Sequence, residues 1–113
     1  MIVIWHNPRC SKSRQALALL HARGAGICVR RYLDDPPTLV ELQAAQAALG
    51  LPAAAMVRAG EALFGQLALS KTDPNEVLLE AMAAHPRLIE RPVVFARGRA
   101  VIARPPEKLL GLI

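Results

Sequence analysis

Four apolar residues, Ile2-Val3-Ile4-Trp5, break into His6-Asn7-Pro8-Arg9-Cys10, and an amphipathic segment then opens at Ser11-Lys12-Ser13-Arg14. No other stretch constrains the chain as much. A short apolar run predicts a buried strand. Ala16, Leu17, Leu19 and Leu20 supply one face of a helix over 11–23, which Gly24 can stop. The Cys10 thiol therefore stands where a strand hands over to the first turn of a helix. The amides of that turn lack intrahelical partners, and the positive end of the helix dipole points the same way. Such a position lowers a thiol pKa and draws anions. Arg9, Lys12 and Arg14 add positive charge around it. Cys10 is the expected nucleophile.

Residues 27–33 read as a second strand, and strand–helix–strand predicts a βαβ unit with parallel strands. Asp34-Asp35-Pro36-Pro37 is a turn. Thr38-Leu39-Val40-Glu41 then has the form of a capping box, opening a helix to about Leu49 before Gly50. Pro52 suits the start of a short helix through about Val57, and 61–67 predicts another helical turn or two. A further helix starts at Thr72-Asp73-Pro74, with Asp73 or Thr72 as its cap, and His85-Pro86 ends it. Two short strands, 92–96 and 100–103, flank a hairpin turn at Arg97-Gly98-Arg99. Pro105-Pro106-Glu107 opens a terminal helix through about Leu110.

The order is β-α-β, then β-β-α, with an all-helical insertion at approximately 38–84. It predicts a single α/β domain over 1–113 with a thioredoxin/glutaredoxin-like fold. In that fold the cysteine after the first strand is the redox nucleophile. By the same analogy the Arg91-Pro92 bond is cis and turns Arg91 back toward Cys10.

The chain has 113 residues, 53% of them hydrophobic, enough to bury a core without staples. Aromatics make up only 4%, so stacking platforms for single-stranded nucleic acid are not expected. The net charge is +5 and eleven of the 14 Lys+Arg are arginine, but they are scattered along the chain. No nucleic-acid partner is expected. Nor is a membrane partner, because no apolar stretch reaches the length of a span. Cys10 and Cys28 do not make a disulfide framework, and no Cys/His cluster has zinc-ligand spacing, so no metal site is expected. There is no basic n-region of a signal peptide, and a reducing cytoplasm is the expected compartment.

Position 13 is Ser13, where a dithiol redox protein would carry a second cysteine, so Cys10 cannot close a local disulfide. An adduct on its sulfur must be resolved by an outside thiol such as glutathione, or by Cys28. His6 is placed to hydrogen-bond the thiolate or to orient the loop. Ser11 has a hydroxyl and an amide to offer the sulfur or an anion, and Arg14 lies one helical turn after Cys10. Cys28, mid-strand in Ile-Cys-Val, reads as a buried core cysteine. A phosphatase-type loop is excluded, since Ala16 stands where its arginine would be needed. Taken singly, Arg58 and Arg104 read as surface arginines.

Several segments change that reading when taken together. They are His6-Asn7-Pro8-Arg9-Cys10-Ser11-Lys12-Ser13-Arg14, Tyr32-Leu33-Asp34-Asp35-Pro36-Pro37, Val57-Arg58, the run from His85 to Val94, and Arg104-Pro105-Pro106-Glu107. In this order they resemble the arsenate reductase family of the glutaredoxin-coupled type, the ArsC family, with its Spx-like relatives. The match is to the shorter members; longer ones carry a C-terminal extension after the terminal helix. The resemblance implies a catalytic Cys10 and an arginine triad, Arg58, Arg91 and Arg104, that binds the arsenate oxyanion. It implies glutathione as reducing co-substrate, glutaredoxin as partner and no bound cofactor. Two other readings stay open: a glutathione-dependent thiol oxidoreductase, and an Spx-like regulator that binds RNA polymerase.

Overall fold

A computed structural model describes residues 1–24 and 26–113. The chain forms two compact units, one from residues 1–35 with 91–113 and the other from 36–90.

The first unit is built on a four-stranded sheet. Its strands are β1 (Ile2–Trp5), β2 (Ile27–Arg30), β3 (Val93–Ala96) and β4 (Arg99–Ile102), in the order β2-β1-β3-β4. β1 and β2 are parallel and joined through helix α1 (Ser11–Ala22), while β3 runs antiparallel to both β1 and β4. Alternation along the strands sorts the side chains by face. Ile4 pairs with Val94, and both are fully buried. Ala16 and Leu20, four residues apart on α1, come down on that face, together with Ala96, Ala103, Leu109 and Leu112. Burying a leucine such as Leu20 contributes about 2 kcal/mol.

Three expectations for this unit are corrected. β2 stops at Arg30 rather than at residue 33, because the Arg31 carbonyl accepts from the amides of Asp34 and Asp35 and turns the chain. Tyr32 is buried within that turn. Cys28 is exposed, not core. It lies on the edge strand and pairs with Val3, on the face opposite Ile4 and Val94. The C-terminal helix is a 3₁₀ segment, Pro106–Gly111. Pro106, Leu109 and Leu112 are buried at a spacing of three, which three residues per turn place on one side. The β3–β4 hairpin turns on Arg97 and Gly98, both at positive φ, as a two-residue I′ turn requires.

The second unit holds α2 (Leu39–Leu49), a 3₁₀ turn at Ala53–Ala55, α3 (Ala62–Gln66), α4 (Asn75–Ala84) and a 3₁₀ turn at Pro86–Leu88. The capping box at the start of α2 is complete: the Thr38 hydroxyl accepts from the Glu41 amide, and Glu41 accepts from the Thr38 amide. Gly50 ends α2 in the left-handed region. The cap of α4 is a correction. Pro74 takes that position without a side-chain bond. Asp73 accepts from the Ser70 amide and Thr72 bonds the Ser70 hydroxyl, so both expected caps are spent on their own loop.

Candidate active site

Cys10 is the N-cap of α1, in extended backbone conformation. The loop that presents it is closed by its own backbone and by Asn7. The Asn7 carbonyl accepts from the Cys10 amide at 3.0 Å, and its side-chain Oδ1 accepts from the Arg9 amide at 3.0 Å. Arg14, exposed on the first turn of α1, donates from Nη1 to the Pro8 carbonyl at 2.9 Å. It fastens the same loop from the helix side. Upstream, the His6 amide donates to the Arg30 carbonyl at 2.8 Å and ties the end of β1 to β2.

Under the loop lies a buried polar pair. Ser13 is fully buried and His6 is 6% exposed. The Ser13 hydroxyl accepts from the Asn7 amide at 3.0 Å and lies 2.6 Å from His6 Nδ1. Either the hydroxyl or an Nδ1–H of His6 can supply the proton of that bond, since the hydroxyl oxygen has two lone pairs. Burial lowers the His6 pKa, and the charges of Arg31 and Arg14 lower it further. The imidazole is therefore neutral near pH 7, and it orients the loop through Ser13.

The sulfur collects donors from both ends of the chain. Burial pushes the Cys10 thiol up. That effect is outweighed by the Ser13 amide, the Arg91 charge, the Lys12 amide and the Arg104 side chain, and the pKa falls below its ordinary value. Arg104 Nη1 lies 3.7 Å from Sγ and also donates to the Arg91 carbonyl at 3.2 Å. The Arg91-Pro92 bond is cis, and so is Arg104-Pro105. Three expected site residues, Cys10, Arg91 and Arg104, thus come together. Among donors to the sulfur, the amides of Lys12 and Ser13 take the part that the sequence reading offered to Ser11, which is exposed at the first helical position.

Arg58 belongs to the second unit. Its amide donates to the Leu88 carbonyl at 2.7 Å, beside a bridge that pairs Val57 with Ile89. Its guanidinium meets Glu61 at 3.4 Å and the Arg87 carbonyl at 3.3 Å. Sequence reasoning missed Ser13 as the residue that anchors the loop, treating it only as a missing thiol. It also passed over Glu61, although an Arg-x-x-Glu spacing within one turn was there to see.

A thiolate held by amides and guanidinium groups can attack an electrophilic centre that carries negative oxygens, while the same cations neutralise those oxygens. The ArsC family model matches residues 5–112. A protein of Neisseria meningitidis serogroup A named arsenate reductase is 48% identical over 110 residues, covering 96% of this chain and 94% of its own length. The arsenate reductase of Haemophilus influenzae is 38% identical over 114 residues, covering 99% of this chain and 98% of its own. Among solved structures, the arsenate reductase from Vibrio cholerae aligns with a TM-score of 0.95 at 44% identity, covering 99% of this chain and 97% of that one. The four-stranded mixed α/β sheet shares their thioredoxin-like fold. With a match reaching from the end of β1 to the end of the terminal 3₁₀ segment, the chain belongs to the ArsC family.

Proposed function

We propose that this protein is an arsenate reductase that uses glutathione and glutaredoxin. The observation that carries the reading is the Cys10 sulfur at the start of α1, with Arg104 Nη1 3.7 Å away and the Arg91 charge acting on it. Similarity to proteins named arsenate reductase supports arsenate as the oxyanion. Arg91 and Arg104 bind its oxygens, and the family motif at Val57-Arg58 adds Arg58 as the third guanidinium.

The Cys10 thiolate attacks arsenic, an As–S bond forms, and one arsenate oxygen leaves as water after protonation. The glutathione thiolate then attacks Cys10 Sγ. An S–S bond forms, the As–S bond breaks, and its electron pair stays on arsenic, which leaves as arsenite. Glutaredoxin thiolate attacks the glutathione sulfur of the mixed disulfide and releases the Cys10 thiolate. Two thiols are oxidised to one disulfide for each arsenate reduced. Ser13 in place of a second thiol fits this cycle, because no neighbouring sulfur can close on Cys10 before glutathione arrives. Cys10 and Cys28 are both free thiols.

The test is NADPH oxidation coupled through glutathione reductase, glutathione and glutaredoxin, with and without arsenate. Turnover that requires arsenate and is lost in Cys10→Ser and Arg91→Ala supports the reading. A reactive Cys10 with no arsenate-dependent turnover overturns it in favour of a general glutathione-dependent thiol oxidoreductase.

A further inference from the structure

Arg58 is held by a clamp that the proposed reaction does not use. Its Nη2 meets Glu61 Oε2 at 3.4 Å, and its Nη1 donates to the Arg87 carbonyl at 3.3 Å. The second oxygen of the same carboxylate, Oε1, lies 3.8 Å from Arg87 Nε. Glu61 and the Arg58 side chain are each 25% exposed, whereas Arg87 is 56% exposed. The backbone fixes the parts. The Glu61 amide donates to the Arg58 carbonyl at 3.1 Å, and Arg58 and Leu88 are joined by the 2.7 Å bond beside the Val57–Ile89 bridge. One terminal nitrogen of the guanidinium is thus engaged by a carboxylate and the other by a carbonyl. Nε and the remaining N–H groups on the terminal nitrogens stay available to donate elsewhere.

We propose that Glu61 is a positioning residue for Arg58, setting the guanidinium plane from one side while the Arg87 carbonyl sets it from the other. The inference rests on the reading of Arg58 as an oxyanion-binding group. An arginine side chain loses much rotamer freedom when it grips an anion, and a fork already fixed in its plane loses less. A partly exposed ion pair adds little to fold stability, so the effect is on binding. The oxyanion is charged before and during reaction, so a misplaced Arg58 weakens both states together. That loss appears in KM and not in kcat.

The test compares arsenate kinetics in wild type, Glu61→Ala, Glu61→Gln and Arg87→Ala, with arsenate binding to the Cys10→Ser background measured by calorimetry. Glu61→Ala should raise KM roughly three- to tenfold and weaken calorimetric binding in parallel, with kcat held within about twofold. Glu61→Gln keeps an acceptor oxygen and should recover most of the loss. Arg87→Ala keeps the backbone carbonyl and should cost less than Glu61→Ala. If Glu61→Ala fails to fold, Glu61→Asp, which withdraws the carboxylate by one methylene, carries the same expectation of a raised KM. An unchanged KM in Glu61→Ala, or a fall in both Glu61→Ala and Glu61→Gln, overturns the proposal; the fall would make Glu61 a competitor of the oxyanion. Wild-type protein that neither binds nor turns over arsenate overturns the reductase reading itself, a result distinct from intact wild-type turnover with an indifferent Glu61.

Discussion

Cys10 and Cys28 lie in the same unit, one at each end of the segment that contains α1. Cys28 sits in the middle of edge strand β2, exposed and paired across the ladder with Val3. Its backbone amide and carbonyl belong to the strand. Cys10 sits where regular structure has just ended, and its surroundings are made of groups left over by that ending. They are the first-turn amides of Lys12 and Ser13, to which the last segment of the chain adds Arg91 and Arg104. The difference teaches that backbone donors and sequence-distant cations, and not the residue type, are what lower the Cys10 pKa.

Exchanging the two thiols for hydroxyls breaks the comparison most severely. Cys10→Ser should lower arsenate-dependent turnover roughly a thousandfold or more, because it removes the proposed nucleophile. Cys28→Ser should stay within about twofold of wild type, as expected of an exposed position outside such features. A large loss in Cys28→Ser would show instead that Cys28 resolves the adduct. Initial-rate measurements on both variants decide it.

Removing a cation sharpens the comparison. Arg104→Ala deletes the side chain that reaches Cys10 Sγ and bonds the Arg91 carbonyl. It should lower kcat/KM about a hundredfold. It should also move the thiolate titration, followed by absorbance at the thiolate band or by alkylation rate, toward higher pH. The direction follows because a positive partner favours the charged form. Alkylation of Cys28 should not respond.

Ser13→Ala tests the buried support. It leaves His6 Nδ1 and the Asn7 amide without their shared hydroxyl. Such a loss should cost about 1–3 kcal/mol in chemical denaturation, and it should raise the Cys10 pKa as the loop loosens around the Ser13 amide.

The smallest effect is on pH dependence. His6 has its folded pKa lowered by burial and by Arg31 and Arg14. Below the unfolded value of about 6.5 the unfolded chain takes up the proton first, so stability falls as pH drops. The loss continues until the pH passes the folded pKa. Above about 6.5 the contribution is fully present. Melting temperature should therefore decline as the medium is acidified from pH 7, and the decline should be shallower in His6→Asn.

Much of the fold was legible from the sequence because its signals are local. β1 and α1 follow from one apolar run and one helical period. The capping box at Thr38 and Glu41 is a reciprocal bond within four residues, and the hairpin is set by the backbone of Arg97 and Gly98. What was misread depended on neighbours in space. Ile-Cys-Val has the same apolar pattern on an edge strand as on a central one, so the exposure of Cys28 could not be read from it. Asp73 makes as good an N-cap as any residue until the Ser70 amide claims its carboxylate.

The same division runs through the candidate site. The sequence by itself determined that a cysteine would stand at a helix start among arginines, since the strand, the loop and the helix occupy consecutive residues. Only the tertiary structure decided which groups touch the sulfur. Arg104 is 94 residues from Cys10 along the chain, and the two meet because β1, β3 and β4 are hydrogen-bonded side by side. A hydrogen bond or an ion pair acts over a few ångströms. Pairing across a sheet can bring residues that far apart in sequence within that range, and no local pattern records it.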